Sequence, residues 1–123
     1  MVLLPGPKHP ITVVPSPTRV VVRVGDTVLA DSRQALVLRE ADYAPVAYIP
    51  RADVDLTALE RSDQTSYCPF KGEAAYFSVP SAGERGTDAV WTYEEPYEAV
   101  SQIKDHVAFY PNRVDAIEYL PLD

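Results

Sequence analysis

Short runs of β-branched and alternating apolar residues predict that this chain consists mainly of β-strands. The clearest signal is "RVVVRVGDTVLADS" (19–32), in which two valine-rich runs flank Gly25 and Asp26. A two-residue turn with glycine between such runs is typical of a β-hairpin. Shorter runs predict further strands. These are "ITVV" (11–14), "ALVLRE" (35–40), "VAYIP" (46–50), "EAAYFSV" (73–79), "AVWTYE" (89–94), "VAFY" (107–110) and "VDAIEYL" (114–120).

Two segments lack such a pattern. Residues 51–66, "RADVDLTALERSDQTS", fit either a strand with a turn or one helical turn, so we expect them to be short and irregular. Residues 80–88, "PSAGERGTD", combine proline, glycine, serine and charged residues, and this composition predicts a loop. The predicted strands are therefore separated by two irregular connections.

One short helix is indicated near residues 97–105. Pro96 suits the first turn of a helix, and Val100, Ile103 and Val107 recur at a spacing that places them on one face. With a single short helix among many short strands, the pattern predicts a mainly-β fold. We expect a small folded sheet or an open barrel of antiparallel strands.

The length suits one compact domain spanning residues 1–123. Residues 1–10 contain Pro5, Pro7 and Pro10, and each proline restricts the residue before it to extended conformations. We therefore expect an extended, proline-rich N-terminal arm. The start of the chain lacks the pattern of a signal peptide, and no stretch approaches about 20 apolar residues, so no membrane segment is predicted.

The charge of the chain argues against a nucleic-acid partner. The formal net charge is −7, and an acidic surface repels phosphate backbones. A single cysteine cannot form an internal disulfide, which is consistent with a reducing compartment. We therefore expect a cytoplasmic protein whose partners are small molecules or, as a homodimer, a second copy of the chain.

Metal and phosphate sites are not indicated. A structural zinc site needs four closely spaced cysteine or histidine ligands, and this chain offers only Cys68, His9 and His106. Gly83 and Gly86 stand in "AGERG", which lacks the lysine and the hydroxyl of a phosphate-binding loop. We therefore expect no metal and no cofactor.

Aromatic residues are the leading candidates for a binding site. The chain has eight tyrosines, and tyrosine combines an apolar ring with a hydrogen-bonding hydroxyl. Such side chains suit the wall of a polar ligand pocket, although the same rings could instead fill a small core. Those expected at a cleft are Tyr48, Tyr76, Trp91, Tyr93 and Tyr110.

The only cysteine, Cys68, lies in "YCPFKGEAAYF" (67–77), three residues before Lys71. One interpretation is a thiolate nucleophile favoured by the nearby cation, as in thiol redox or acyl-transfer enzymes. The other is a mostly buried, inert thiol beside a tight turn. We favour the second, in which Pro69 and Gly72 shape a turn that enters a central strand and Lys71 faces a pocket.

Six segments together resemble one known family. They are "HPIT", "VLADS", "YIPR", "DQTSYCPFKGEAAYFSV", "AVWTYEEPYEAV" and "HVAFYPNRVD". Over most of its length the chain resembles the bacterial family known as domain of unknown function 427. The resemblance implies a β-tent fold, shared with methionine-R-sulfoxide reductases and the ligand-binding domain of cereblon, here without their zinc-binding cysteine pairs.

Members of this family are sometimes labelled nucleotidyltransferases, but this chain lacks the G-S motif and paired acidic residues of such enzymes. Many members carry histidine where this chain has Tyr67.

The family motif falls on four polar residues without an evident packing role, namely Arg51, Asp63, Thr65 and Lys71. We expect them to line a pocket in which Lys71 and Arg51 anchor an anionic or carbonyl-bearing group. The leading hypothesis is a domain that binds a small polar or anionic molecule in an aromatic-lined cleft. It predicts that Lys71→Ala abolishes binding without unfolding the domain. An enzyme using Cys68 and a non-catalytic interaction module that pairs through strand edges are the alternatives.

Overall fold

Ten strands form two sheets in residues 1–122, the part of the chain that this computed structural model describes. The strands are β1 (Ile11–Pro15), β2 (Thr18–Val24), β3 (Thr27–Ser32), β4 (Leu36–Glu40), β5 (Val46–Pro50), β6 (Glu60–Cys68), β7 (Gly72–Ser78), β8 (Val90–Thr92), β9 (His106–Phe109) and β10 (Ala116–Pro121). Seven form a large antiparallel sheet in the order β1-β4-β5-β9-β8-β7-β6, and three form a small antiparallel sheet in the order β10-β2-β3. The mainly-β prediction is confirmed, with two open sheets rather than a closed barrel.

The hairpin predicted over residues 19–32 is formed by β2 and β3. Val24 pairs with Thr27 across the turn, and Gly25 has a φ of 56°, which glycine adopts without the steric cost of a side chain. Val22 and Leu29 are fully buried. The local pattern therefore specifies both the turn and the face of the hairpin that enters the core.

The prediction for residues 51–66 is correct in its first half and wrong in its second. Two 3-10 turns, Arg51–Asp53 and Leu56–Ala58, form the irregular part. The nine residues of β6 then pair with β7, from Glu60 opposite Ser78 to Cys68 opposite Gly72. Seven of the nine are exposed, so β6 has no alternation of apolar residues that could reveal it.

The short helix predicted near residues 97–105 lies at Glu98–Ile103, but it consists of 3-10 turns. Val100 has a non-helical φ of −127°, which interrupts the segment, while Val100 and Ile103 are fully buried. The predicted loop over residues 80–88 contains a further 3-10 segment, Pro80–Gly86. Among the helical segments of residues 1–122, none is long and apolar enough to cross a bilayer.

Two groups of buried side chains lie on opposite faces of the large sheet. Neighbouring residues of a strand point to opposite faces, and Tyr48 and Ile49 of β5 belong to different groups. The group that contains Ile49 also contains Val20 and Val22, so it lies between the two sheets. The group that contains Tyr48 lies on the other face, and most of its large side chains are aromatic or come from the 3-10 turns at Glu98–Ile103.

The N-terminal arm lies against the turn between β6 and β7. The Leu3 amide donates to the Pro69 carbonyl at 2.8 Å, and Gly6 and His9 exchange backbone hydrogen bonds. The arm is therefore not extended throughout, because a turn over residues 6–9 brings His9 back toward the sheet. This placement puts the His9 ring beside the end of β4.

Candidate functional site

A cavity of about 200 Å³ opens on the face of the large sheet that carries the aromatic group. Six of its eleven lining side chains are aromatic, and two others carry opposite charges. The lining residues are Leu38, Glu40, Tyr43, Ala44, Val46, Tyr48, Lys71, Tyr76, Trp91, Tyr93 and Tyr110. A concave space with apolar walls and a few fixed polar groups is the usual form of a small-molecule site.

Strand register brings the aromatic rings together. Tyr76 of β7 pairs directly with Trp91 of β8, which in turn pairs with Ala108 of β9. The Trp91 indole Nε1–H donates to the Tyr48 hydroxyl at 3.1 Å, and the two rings meet edge to face. The rings of Trp91 and Tyr110 lie 4.4 Å apart. Trp91 is therefore fixed at the centre of the aromatic wall by three neighbouring strands.

An ion pair closes one end of the cavity. Lys71, in the turn between β6 and β7, donates from Nζ to Glu40 Oε1 at the end of β4, and each side chain is 12% exposed. The other carboxylate oxygen of Glu40 lies 2.7 Å from His9 Nε2. The His9 ring stacks on Phe70 with a centroid distance of 3.9 Å. Burial disfavours the charge of Glu40, but the hydrogen bonds from Lys71 and His9 outweigh it and hold the pKa of Glu40 below its ordinary value.

Three tyrosine hydroxyls of the cavity, those of Tyr48, Tyr93 and Tyr110, have a raised pKa. Burial raises the pKa of Tyr48 and of Tyr93, and burial together with the neighbouring Tyr76 hydroxyl raises the pKa of Tyr110 to about 12. The Tyr76 hydroxyl lies 2.8 Å from Ser66 Oγ. Tyr93 is only 6% exposed, and within residues 1–122 its hydroxyl makes no hydrogen bond. That hydroxyl is free to donate to or accept from a molecule in the cavity.

A polar cleft adjoins the cavity. Tyr76 and Tyr110 line both spaces, so the cavity and the cleft meet at these two rings. The remaining residues of the cleft are Gln64, Thr87, Asp88, Asn112 and Arg113. The two rings therefore form a wall that the cavity and the cleft share.

Six of the nine residues that the sequence predicted at a pocket line this cavity, namely Tyr48, Lys71, Tyr76, Trp91, Tyr93 and Tyr110. The other three lie outside it. Arg51 bonds Glu94 at 2.9 Å, Thr65 lines an open groove together with Arg61 and Glu94, and Asp63 is exposed on β6. The positions of Asp63 and Thr65 follow from the place of β6 at the edge of the sheet, which the sequence did not reveal.

Sequence reasoning missed Glu40, which holds Lys71. The available signal was a carboxylate at the end of an apolar strand, "ALVLRE", and this pattern is too common to be diagnostic. It also missed Tyr43, which lies at the mouth of the cavity and is 70% exposed. Both residues belong to β4 or its following loop, where only tertiary structure brings them near Lys71.

Cys68 is half-buried beside the aromatic group, less buried than expected. His9 bonds Glu40, and His106 Nδ1 lies 2.8 Å from the Lys104 carbonyl. Within residues 1–122, no histidine is hydrogen-bonded to the thiol. Tyr67, the neighbour of Cys68, directs its hydroxyl to Tyr97 at 2.8 Å. Among the described residues, the thiol therefore has no histidine within hydrogen-bonding distance.

No group of three or more histidine, cysteine, aspartate or glutamate side chains is placed to hold a metal ion in the described part of the chain.

Arg51 belongs instead to a charged cluster beside Phe77, a ring that packs against the buried group containing Ile49. Glu94 accepts hydrogen bonds from Arg51 and Arg61, and both guanidinium groups lie within 5.8 Å of the Phe77 ring centre. The hydrogen bond from Arg61, and after it the one from Arg51, outweighs partial burial and lowers the pKa of Glu94 to about 2. This cluster joins β6, β7 and the end of β8.

Glu94→Gln is expected to lower the free energy of unfolding by about 1 kcal/mol at neutral pH, a small loss because the Glu94 side chain is 37% exposed. The pKa of Glu94 is lower in the folded than in the unfolded chain, so its contribution is complete above the unfolded value and is lost as pH falls. The deficit should therefore be constant above about pH 5.5 and shrink toward pH 2. Urea denaturation at several pH values measures it, with Glu98→Gln as the control. A deficit that does not change with pH would contradict this account.

The chain matches one known protein family. A family model described as Domain of unknown function (DUF427) matches residues 12–119. No curated protein sequence matches the chain. The matched range begins within β1, ends within β10 and includes every residue that lines the cavity. The family that the sequence motifs indicated is therefore confirmed, and the chain belongs to the DUF427 family of domains of unknown function.

Proposed function

We propose that this chain is a small-molecule-binding domain and that the aromatic cavity holds one ring of its ligand. The observation that carries the proposal is the convergence of Trp91, four buried or half-buried tyrosines and the Lys71–Glu40 pair on one cavity of about 200 Å³. Aromatic faces bind a ring by close contact, and the hydroxyls and the ion pair fix its orientation. The volume suits a single substituted ring rather than a large cofactor.

The unused hydroxyl of Tyr93 supports a binding role over simple core filling. Rings that only fill a core pack against one another, and their hydroxyls find partners in the protein. Tyr48 and Tyr76 have such partners in Trp91 and Ser66. Tyr93 has none within residues 1–122, although it is nearly buried and lines the cavity. The Tyr93 hydroxyl is not one of the fully buried polar atoms without a partner, so it keeps some solvent exposure, and a bound molecule would replace water there.

Trp91 provides a direct test of occupancy. It is the only tryptophan in the chain and it lines the cavity, so its fluorescence reports on a molecule that enters. We suggest a screen of single-ring organic fragments read out by Trp91 fluorescence and by thermal unfolding. A true ligand should change the fluorescence and raise the melting temperature, because it binds only the folded state. If no fragment changes either signal at millimolar concentration, the proposal is wrong.

Tyr93→Phe should weaken a fragment found in this screen about fivefold to tenfold, the worth of one neutral hydrogen bond. Stability should change little, because the Tyr93 hydroxyl makes no hydrogen bond within the described residues. Titration of Trp91 fluorescence measures the dissociation constant. Tyr119→Phe is the matched control, since Tyr119 is exposed on β10 of the small sheet. Equal affinities for the two variants would show that Tyr93 does not contact the ligand.

A further inference from the structure

We propose that the ligand is uncharged and carries an amide, or an equivalent carbonyl next to an N–H, attached to its ring. This inference rests on the proposed function, because it assigns a chemical class to the molecule in the same cavity. It departs from the sequence-based expectation that Lys71 and Arg51 anchor an anion. Arg51 does not line the cavity, and the charge of Lys71 is already balanced.

The charges around the cavity cancel. Lys71 and Glu40 are the cation and the carboxylate that line it, and they are paired with each other. An anion that approaches Lys71 also approaches Glu40, and a cation that approaches Glu40 also meets Lys71. Either ion would lose its hydration among aromatic rings without gaining an unpaired counter-charge. An uncharged molecule avoids both penalties.

The adjoining cleft also carries one charge of each sign, but within residues 1–122 these two charges do not form an ion pair with each other, and Asp88 Oδ1 is buried without a hydrogen-bond partner. Asp88 and Arg113 supply one charge of each sign, while Gln64 and Asn112 supply neutral amides. Arg113 also directs Nη1 to the backbone carbonyls of Arg85 and Thr87, each at 3.2 Å. The polar groups on the far side of Tyr76 and Tyr110 therefore donate and accept hydrogen bonds and include one charge of each sign.

The free hydrogen-bonding capacity of the cavity matches an amide. The Tyr93 hydroxyl is an unused donor or acceptor, and a phenolic hydroxyl donates well to a carbonyl oxygen. Glu40 uses one lone pair on each carboxylate oxygen for Lys71 and His9, so it retains capacity to accept from an N–H. A carbonyl and an N–H on one planar group would satisfy both residues. A bare hydrocarbon ring would leave the Tyr93 hydroxyl unsatisfied.

Three fragments of nearly equal size and shape test the charge directly. Benzamide is neutral, benzoate is an anion and benzamidine is a cation at about pH 8, where imidazoles in general are neutral. Each is titrated against the full chain, with Trp91 fluorescence for affinity and thermal unfolding as the second readout. We expect benzamide to bind at least about tenfold more tightly than either ion.

Glu40→Gln gives a second test that a change in packing would not mimic. This variant leaves Lys71 without its carboxylate, so benzoate should bind at least about tenfold more tightly than it binds the wild type. Benzamide should change by only a few-fold. Glu118→Gln is the matched control, because Glu118 pairs with Arg23 on the small sheet, outside the cavity. It should leave all three affinities unchanged.

The outcomes separate this inference from the proposed function. Benzoate or benzamidine binding the wild type as tightly as benzamide would overturn the neutral class while leaving a binding site. Failure of all three where another fragment from the screen binds would overturn the amide assignment alone. If no fragment of any kind binds, the inference falls together with the proposed function. A benzoate affinity in Glu40→Gln no higher than in the wild type would also contradict the charge argument.

Discussion

Replacing Lys71 by alanine is expected to lower the free energy of unfolding by about 3 kcal/mol, the usual cost of removing one partner from a buried ion pair. The Lys71 and Glu40 side chains are each only 12% exposed, so Glu40 would keep its charge in a poorly hydrated site. His9 remains bonded to Glu40 and limits the loss. A domain with a typical stability of about 5–15 kcal/mol would still fold at room temperature. The loss of ligand binding expected for the same variant remains a separate prediction.

A second substitution should reverse much of this loss. In Glu40→Gln combined with Lys71→Ala, no buried charge is left without a partner, and a glutamine oxygen still accepts from His9. We expect the double variant to be more stable than Lys71→Ala alone by about 1–2 kcal/mol. Urea denaturation measures the free energy of unfolding of the wild type, of Lys71→Ala and of the double variant. Lys104→Ala is the control, because Lys104 is exposed.

The pH dependence of Lys71→Ala has a defined sign. The pKa of Glu40 lies below its ordinary value in the folded protein, so the ion pair contributes fully above the unfolded value and is lost as pH falls. The deficit of Lys71→Ala should therefore shrink below about pH 4.5. A variant no less stable than Lys104→Ala at neutral pH would show that the pair does not stabilise the fold.

Replacing Gly86 by alanine should destabilise the domain by about 3 kcal/mol or more, the cost of forcing a methyl group into a filled space. A Cβ at this position would lie 2.2 Å from the Val79 carbonyl oxygen and 2.9 Å from Ala82 Cβ. The Val79 contact is to backbone, and the Val79 amide donates to the Gly86 carbonyl at 2.8 Å, so neither chain segment can move without breaking this bond. The loop that follows carries Thr87 and Asp88 to the polar cleft.

Gly6→Ala is the matched control for Gly86→Ala. Nothing lies within 4 Å of a Cβ built on Gly6, so the substitution should change stability by less than about 1 kcal/mol. Thermal and urea unfolding of the two variants give the comparison. Similar midpoints for both would mean that the chain relaxes around Gly86 more easily than its packing indicates.

Much of the fold was predictable because most of its strands carry a local signal. The β2–β3 hairpin combines valine-rich runs with a glycine turn, and both features act over a few residues. Strand β6 has no such signal, since nearly all its side chains are exposed and β7 alone holds it in place. The segment Glu98–Ile103 was located by its apolar face, but its 3-10 geometry depends on Val100 leaving the helical conformation.

Some features of the candidate site were likewise determined by the sequence, and others were decided only by the tertiary structure. By itself, the sequence determined the family, the strand that carries Tyr76 and the aromatic composition of the cavity wall, because these depend on motifs and short-range alternation. Only the tertiary structure decided that Glu40 pairs with Lys71, 31 residues further along the chain, and that Arg51 turns instead to Glu94. Such pairings depend on which strands are neighbours, and strand order follows from the packing of the whole sheet. The charge balance of the cavity is therefore a property of the folded chain that no local pattern contains.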